Sequence, residues 1–345
     1  MSTNKQTKLS SNKKAISKTW IVIFKIVLII AIYVIISSLV RFDILNRQYK
    51  ALLVPIGVNI ILAVSLNVVT GFLGELSLGH AGFMSIGAFT GALFTLNMDM
   101  PGTLEFIIAI LLGGTIAAIF GFFIGVPALR LRGDYLAIVT LAFGEIIKAI
   151  IKFLNLPSGK DAAGNVKMVK GTMGLSGIET YADYTWVYVA LVIVIVICAN
   201  LIKSRHGRII TSIRDNYLAA ESIGIHVSRY KILAFVIAAF FAGVAGVISG
   251  HNVPIIKPND YDYNKSIDIL VFVVLGGMGS IKGSIIAATV LTVLPEILRP
   301  IKDYRMLMYA ILLIAMMLFN NSKFRAGLNE NKSLAKLTGL LKFGR

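Results

Sequence analysis

Apolar runs of membrane-spanning length recur from one end of this chain to the other, and no other feature constrains its folding as much. About twenty consecutive apolar residues cross the hydrocarbon core of a bilayer as a helix, which pairs its backbone polar groups internally. Ten candidate spans fall at about 19–41, 51–70, 76–96, 104–126, 134–154, 185–202, 230–250, 266–279, 283–298 and 304–320. They predict an all-α fold, a polytopic transmembrane helical bundle. The eighth and ninth are short, and the join "GGMGSIKGS" also admits one broken helix and nine spans. A closed β-barrel would show short alternating segments instead of continuous runs. Composition agrees: only 15% of residues are charged, against about a quarter in soluble domains.

Charge orients the spans. Residues 1–18 hold five lysines and no acid, 203–231 hold six Lys/Arg against two acids, and 321–345 hold six against one. The connections 155–184 and 251–268 are balanced or slightly acidic. Basic segments stay on the cytoplasmic side, so both termini are expected there, which needs an even number of spans. The connections 41–50 and 299–305, each net +2, run against this assignment. The expected organisation is a basic tail (1–18), a transmembrane domain (19–320) in the plasma membrane and a second basic tail (321–345). The first run is too long for a signal peptide and lacks a cleavage site. The net charge of +17 follows from this topology, and no aromatic-studded basic face suggests nucleic acid.

Ten spans permit an internal symmetry. Spans 2–5 and 7–10 would be inverted repeats, an arrangement common in transporters. "GELSLGHAGFMSIGAFTGAL" (74–93) and "GGMGSIKGSIIAATVL" (276–291) offer a slight sequence hint, both being rich in small residues.

Those two segments are the candidate translocation path or its helix packing. Gly79, Gly82 and Ser85 surround His80 in the first, and Gly276, Gly277 and Gly279 crowd the second. Such density weakens a helix and lets backbones approach closely or leave helical geometry beside a cavity. Gly113, in the fourth span, is expected to tolerate substitution better. Glu145 lies deep in the fifth span, three residues before Lys148, where the two can pair. A buried carboxylate in a span is a functional candidate. His80 alone reads as a hydrogen-bonded packing residue.

Other chemistries find no support. The single cysteine, Cys198, excludes an internal disulfide, and the four histidines lack metal-ligand spacing. No P-loop occurs: Gly159-Lys160 is followed by Asp161. No zinc-protease motif or nucleophile elbow appears. No catalytic, cofactor or metal residue is assigned.

The stretch "GRIITSIRDNYLAAESIGI" (207–225) interrupts the apolar pattern. Ile209, Ile213, Ala220 and Ile223 recur near helical spacing and form an apolar side. Arg208, Arg214, Asp215 and Glu221 make the rest polar, and Gly224 is placed to end the helix. A helix lying on the membrane would prefer basic residues with large aromatics. Ala219-Ala220 instead offers a small, flat face for a soluble partner.

Taken together, "GELSLGHAGFMSIGAFTGAL", "LRLRGDYLAIVTLAFGEI", "GRIITSIRDNYLAAESIGI", "VVLGGMGSIKGSIIAA" and "PEILRPIKDYRMLMYAILLIAMML" resemble the permease subunits of ABC importers for branched-chain amino acids, of the LivM type. The resemblance runs from about 51 to 320. It implies a second homologous permease, two cytoplasmic ABC ATPase subunits, an extracytoplasmic substrate-binding protein, and an amino-acid substrate (leucine, isoleucine or valine). This chain, set in membrane lipid, would bind no cofactor, while the ATPase subunits would bind ATP and Mg. The stretch 207–225 would be the coupling helix, carried by Arg208, Arg214, Asp215, Ala219, Ala220 and Gly224. Leu218 stands where the general coupling signature has Glu, and Val169-Lys170 replace a Thr-Gly of relatives. Related permeases carry sugars or nucleosides. An ion-coupled carrier would need mid-membrane carboxylates, and Glu145 is the one good candidate.

Overall fold

The computed structural model describes residues 27–42, 46–98, 101–128, 133–160, 166–299 and single positions between 304 and 314. The chain divides into two units, residues 1–51 and 52–345. The first contains α1 (Val27–Arg41), a short apolar helix with mostly exposed side chains. It also contains the start of α2 (Arg47–Asn67), which runs on into the second unit as a π turn, Val68–Leu73. Gly74, at φ +82°, ends that turn in the left-handed region where glycine is favoured.

The second unit continues with α3 (His80–Asn97), α4 (Gly102–Ala128), α5 (Asp134–Phe153), α6 (Tyr184–Lys203), α7 (Arg205–Asp215), α8 (Tyr217–Ser222), α9 (Val227–Gly250), α10 (Tyr263–Gly276) and α11 (Ile281–Ile297). Among the described residues, four helices are long and apolar enough to cross a membrane: Arg47–Leu73, Gly102–Pro127, Tyr184–Lys203 and Val227–Gly250. His80 and Asn97 lower the mean hydropathy of α3, and Glu145, Lys148 and Lys152 put charge into α5. α10 and α11, at 14 and 17 residues, are short. The expected span at 304–320 lies outside the described residues apart from single positions. The protein is a multi-pass helical membrane bundle.

The bundle is helical as expected, and its connections add two short strand pairs. β1 (Asn155–Lys160) pairs antiparallel with β2 (Val166–Lys170), and β3 (Leu175–Ser176) pairs with β4 (Ile255–Ile256). The second pair joins the connections 155–184 and 251–268, so the two segments meet at one end of the bundle. The charge pattern had assigned both to one side.

Small residues let α3, α4 and α9 pack closely at the centre. A Cβ on Gly87 would meet the backbone of Gly243 at 2.1 Å, and one on Gly113 would meet Val247 Cγ2 at 2.3 Å. Gly113 is therefore as confined as the glycines of α3, contrary to expectation. α3 and α9 run parallel, with Gly91 against Val247 and Met84 against Gly246. On this register His80 stands level with about Ala239, near the midpoint of α9.

That register fixes an unusual chain path. The chain descends through α2 and the π turn, and residues 74–79 then return without helical structure to mid-depth, where α3 begins. A second re-entry comes from the other side. After α9, residues 251–262 pass through β4 and a 3-10 turn, Pro258–Tyr261, before α10 begins. The Ala81 amide donates to Ser266 Oγ at 3.1 Å, so the first turns of α3 and α10 share one depth.

α10 and α11 are antiparallel. The Asn59 side chain accepts from Lys265 Nζ at 3.1 Å and donates to Thr292 Oγ1 at 3.0 Å, which puts the start of α10 beside the end of α11. The turn at Gly277–Ser280 is a reversal, so 266–298 is not one broken helix. The supposed kinship of 74–93 with 276–291 also needs correction. Residues 277–280 form a helix–helix turn, whereas 74–79 is an irregular segment leading into a helix, as 251–262 is.

Candidate functional site

Three features converge on the two re-entries. The first is a polar cluster at mid-depth, around the start of α10. Glu145 Oε1 accepts from the Tyr263 amide at 3.1 Å and pairs with Lys148. Asp262 caps the helix by accepting from the Lys265 amide at 3.1 Å. These carboxylates satisfy orphan amides at the positive end of the helix. Asp268 lies one turn further on, exposed, with no hydrogen-bond partner among the described residues. The expected Glu145–Lys148 pair is present.

The second feature is a junction at the end of the bundle where α2 finishes. Arg214 Nη1 donates to the Gly71 carbonyl at 2.7 Å, and its Cγ would lie 2.9 Å from a Cβ on Gly74. Asn67 Oδ1 accepts from the Gly279 amide at 2.9 Å, while Asn67 Nδ2 donates to Ser284 Oγ at 2.8 Å. A Cβ on Gly279 would stand 3.0 Å from Arg214 Nη1. Glu75 and Lys231 form an ion pair beside this junction. The π turn, the α10–α11 turn and the segment containing α7 and α8 therefore meet at one place.

The third feature is that segment, and it departs from expectation. It is two helices, because Asn216 is extended between α7 and α8 and its side chain caps α8, accepting from Ala219 N at 3.1 Å. Ile210, Ile213 and Ala220 are buried, whereas Ile209 is half-buried and Ile223 is 76% exposed. Ala220, expected to share the free face with Ala219, belongs to the fixed side at 3% exposure. Arg208, Asp215, Leu218, Ala219, Glu221 and Ile223 are among the segment's exposed residues. Arg214 reaches inward to Gly71 and so holds the segment to the bundle. Gly224, at φ +85° with open space around it, ends α8 as expected.

The glycine positions divide by role. A Cβ on Gly79 would lie 2.4 Å from Thr140 O, one on Gly82 2.8 Å from Gly144 Cα, and one on Gly276 2.5 Å from Gly283 C. Gly277 faces open space and is needed for its φ of +91°. His80 is buried, its Nε2 2.8 Å from Ser65 Oγ, and Ser85 is buried with no hydrogen-bond partner for its hydroxyl among the described residues. Gly79, His80, Gly82 and Ser85 are all buried among neighbouring helices. Lys231, Lys265, Asp268, Asn59 and Asn67 were not singled out from sequence. Lys265 and Asp268, three apart at the head of an apolar run, were the available signal.

A sequence family described as "Branched-chain amino acid transport system / permease component" matches residues 49–319. This chain belongs to that family. The LivM high-affinity branched-chain amino acid transport system permease of Salmonella typhimurium is 35% identical over 284 residues, covering 75% of this chain and 66% of the relative. The chain thus spans just under two thirds of that relative's length. The LivH permease protein of the same organism is 25% identical, over 68% of this chain and 79% of its own. The NupC nucleoside ABC transporter permease protein of Lactococcus lactis is 26% identical, over 51% of this chain and 58% of its own.

Proposed function

We propose that this chain is a membrane subunit of an ATP-powered importer for branched-chain amino acids. It forms the translocation path with a second homologous permease and docks two cytoplasmic ABC ATPase subunits. An extracytoplasmic binding protein delivers leucine, isoleucine or valine. ATP and Mg bind to the ATPase subunits, and this chain carries no catalytic group. The observation that carries the reading is the α7–α8 segment. It presents an exposed face and is tied by Arg214 to a break in the membrane helices, beside which Lys231 of α9 pairs with Glu75. A soluble motor can pull on such a segment, whereas an ion-coupled carrier has no use for it.

On this reading the ten spans run 19–320 between cytoplasmic tails 1–18 and 321–345, in the plasma membrane. Spans 2–5 and 7–10 are inverted repeats, with the re-entries at 74–79 and 251–262 as their matching breaks. The coupling element covers about 207–225, with Leu218, Ala219 and Ile223 in contact with the ATPase.

Reconstitution of the chain with its permease, ATPase and binding-protein partners tests the proposal: leucine uptake should require ATP. Uptake by this chain alone, driven by a sodium or proton gradient, would defeat it. The NupC relative favours one second reading, a nucleoside permease. Competition of leucine uptake by nucleosides, but not by isoleucine, would select that reading.

A further inference from the structure

The exposed side of α10 holds Tyr263, Asn264, Ile267 and Asp268, and so carries a carboxylate where a lipid-facing helix should be apolar. Asn264 and Asp268 lie one turn apart on its exposed face, and half-buried Val271 and Leu275 continue the same stripe toward the cytoplasmic end. Helical spacing aligns these four residues. Lys265 and Asn59 flank the stripe, and Glu145 with Lys148 faces it from α5. Asn264, Lys265 and Asp268 stand near the depth of the first turn of α3, which is level with the middle of α9.

An exposed carboxylate at that depth is costly against lipid and belongs in water or against a polar ligand. The positive end of α10 is already occupied by Glu145 and Asp262, so it does not hold a ligand anion. Around the stripe stand three carboxylates, Asp262, Asp268 and Glu145, and two ammonium groups, Lys265 and Lys148, so both signs of charge are present. Such a set complements a molecule that carries one charge of each sign. The apolar stretch formed by Val271 and Leu275 matches an aliphatic side chain.

We propose that this face of α10 lines a water-filled path and is a passage site for a zwitterionic amino acid. Asp268 receives the α-ammonium, Lys265 faces the α-carboxylate, and the side chain lies along Val271 and Leu275. The assignment of the ligand rests on the importer reading, whereas the aqueous exposure of the face does not. The internal Glu145–Lys148 and Lys265–Asn59 contacts weaken the site, as conduction demands: a passing solute must be held and released.

Cysteine accessibility in the assembled transporter tests the path. The one native cysteine, Cys198, is buried, and Cys198→Ser removes it. In that background, Asn264→Cys, Asp268→Cys and Val271→Cys should react with a membrane-impermeant thiosulfonate. Phe123→Cys, exposed on α4, should not. Absence of labelling at all three α10 positions means that lipid or the second permease covers this face, and it overturns the proposal.

Radiolabelled leucine uptake tests the ligand. Asp268→Asn should lower the maximal rate by about tenfold, the loss of one charge-assisted contact, with ATPase co-purification unchanged. Asp268→Glu should restore much of it. Wild-type uptake rates in Asp268→Asn overturn the role of the charge. If cysteines on α10 are labelled but the wild-type complex carries no leucine, both the amino-acid assignment and the importer's substrate are wrong.

Discussion

Removing the Arg214 guanidinium should separate ATP hydrolysis from transport. Nη1 gives a charge-assisted bond of 2.7 Å to the Gly71 carbonyl, and the side chain fills space against Gly74 and Gly279. A hydrogen bond to a charged group contributes about 1.5–3 kcal/mol. Taking about 2 kcal/mol, Arg214→Ala shifts the ratio of tethered to untethered junctions by about 30-fold. The exposed face of α8 is untouched, so the ATPase should still dock. The assay compares ATP hydrolysis and leucine uptake in proteoliposomes holding the complete transporter. Arg214→Ala is expected to hydrolyse ATP near the wild-type rate and to import several times less leucine per ATP. Arg214→Lys, which keeps the charge without the planar fork, should fall between. An unchanged ratio of uptake to hydrolysis in Arg214→Ala would refute the idea that force reaches the helix break through this residue.

Leu218→Asp and Ile223→Asp place charge on the exposed face of the coupling segment, and each should abolish ATPase co-purification while membrane insertion stays normal. Ala220→Glu instead buries a charge beneath α8; it should expose the segment to limited proteolysis, at a cost of several kcal/mol if the carboxylate stays ionised. Lys231→Met leaves Glu75 unpaired at a partly buried site, and the double variant with Glu75→Gln should recover thermal stability in detergent; no recovery would mean that the pair is not coupled. Gly79→Val and Gly113→Val should both lower the amount of folded protein, because each Cβ would meet fixed neighbours, whereas Gly277→Ala, in open space but at φ +91° and ψ 115°, should lose stability through backbone strain alone. A reporter active only outside the cytoplasm, fused after Asn321, should stay silent, and activity there would remove one span from the topology.

The long spans could be read directly because lipid forces backbone pairing within each one, and continuous apolar composition records that. The amphipathic character of 207–225 was equally visible. Its division at Asn216 was not, although an Asn capping "YLAA" is a local signal that helical periodicity obscured. The re-entry at 251–262 was hidden for a different reason. Hydropathy reads charge as surface, so Lys265 and Asp268 were assigned to a loop, yet the segment dips because its turns pack against protein. The Arg214–Gly71 contact joins residues 143 positions apart, and no local pattern announces such a bond. Gly79 and Gly82 were recognised as points of close approach. The tolerance expected of Gly113 failed because α4 and α9 are as tightly packed as α3 and α9.

The two irregular segments approach each other from opposite faces of the membrane and stop where Ala81 meets Ser266. Segment 251–262 is studded with exposed polar residues, and 74–79 begins at an exposed glycine. If water follows each of them, the dielectric barrier to a solute is confined to the contact between them. A hydrocarbon core of about 30 Å would then present a dehydrated stretch of only a few residues. Opening such a thin septum needs a small relative movement of two helix ends. A short stroke of the motor would suffice, with no large rearrangement of the bundle.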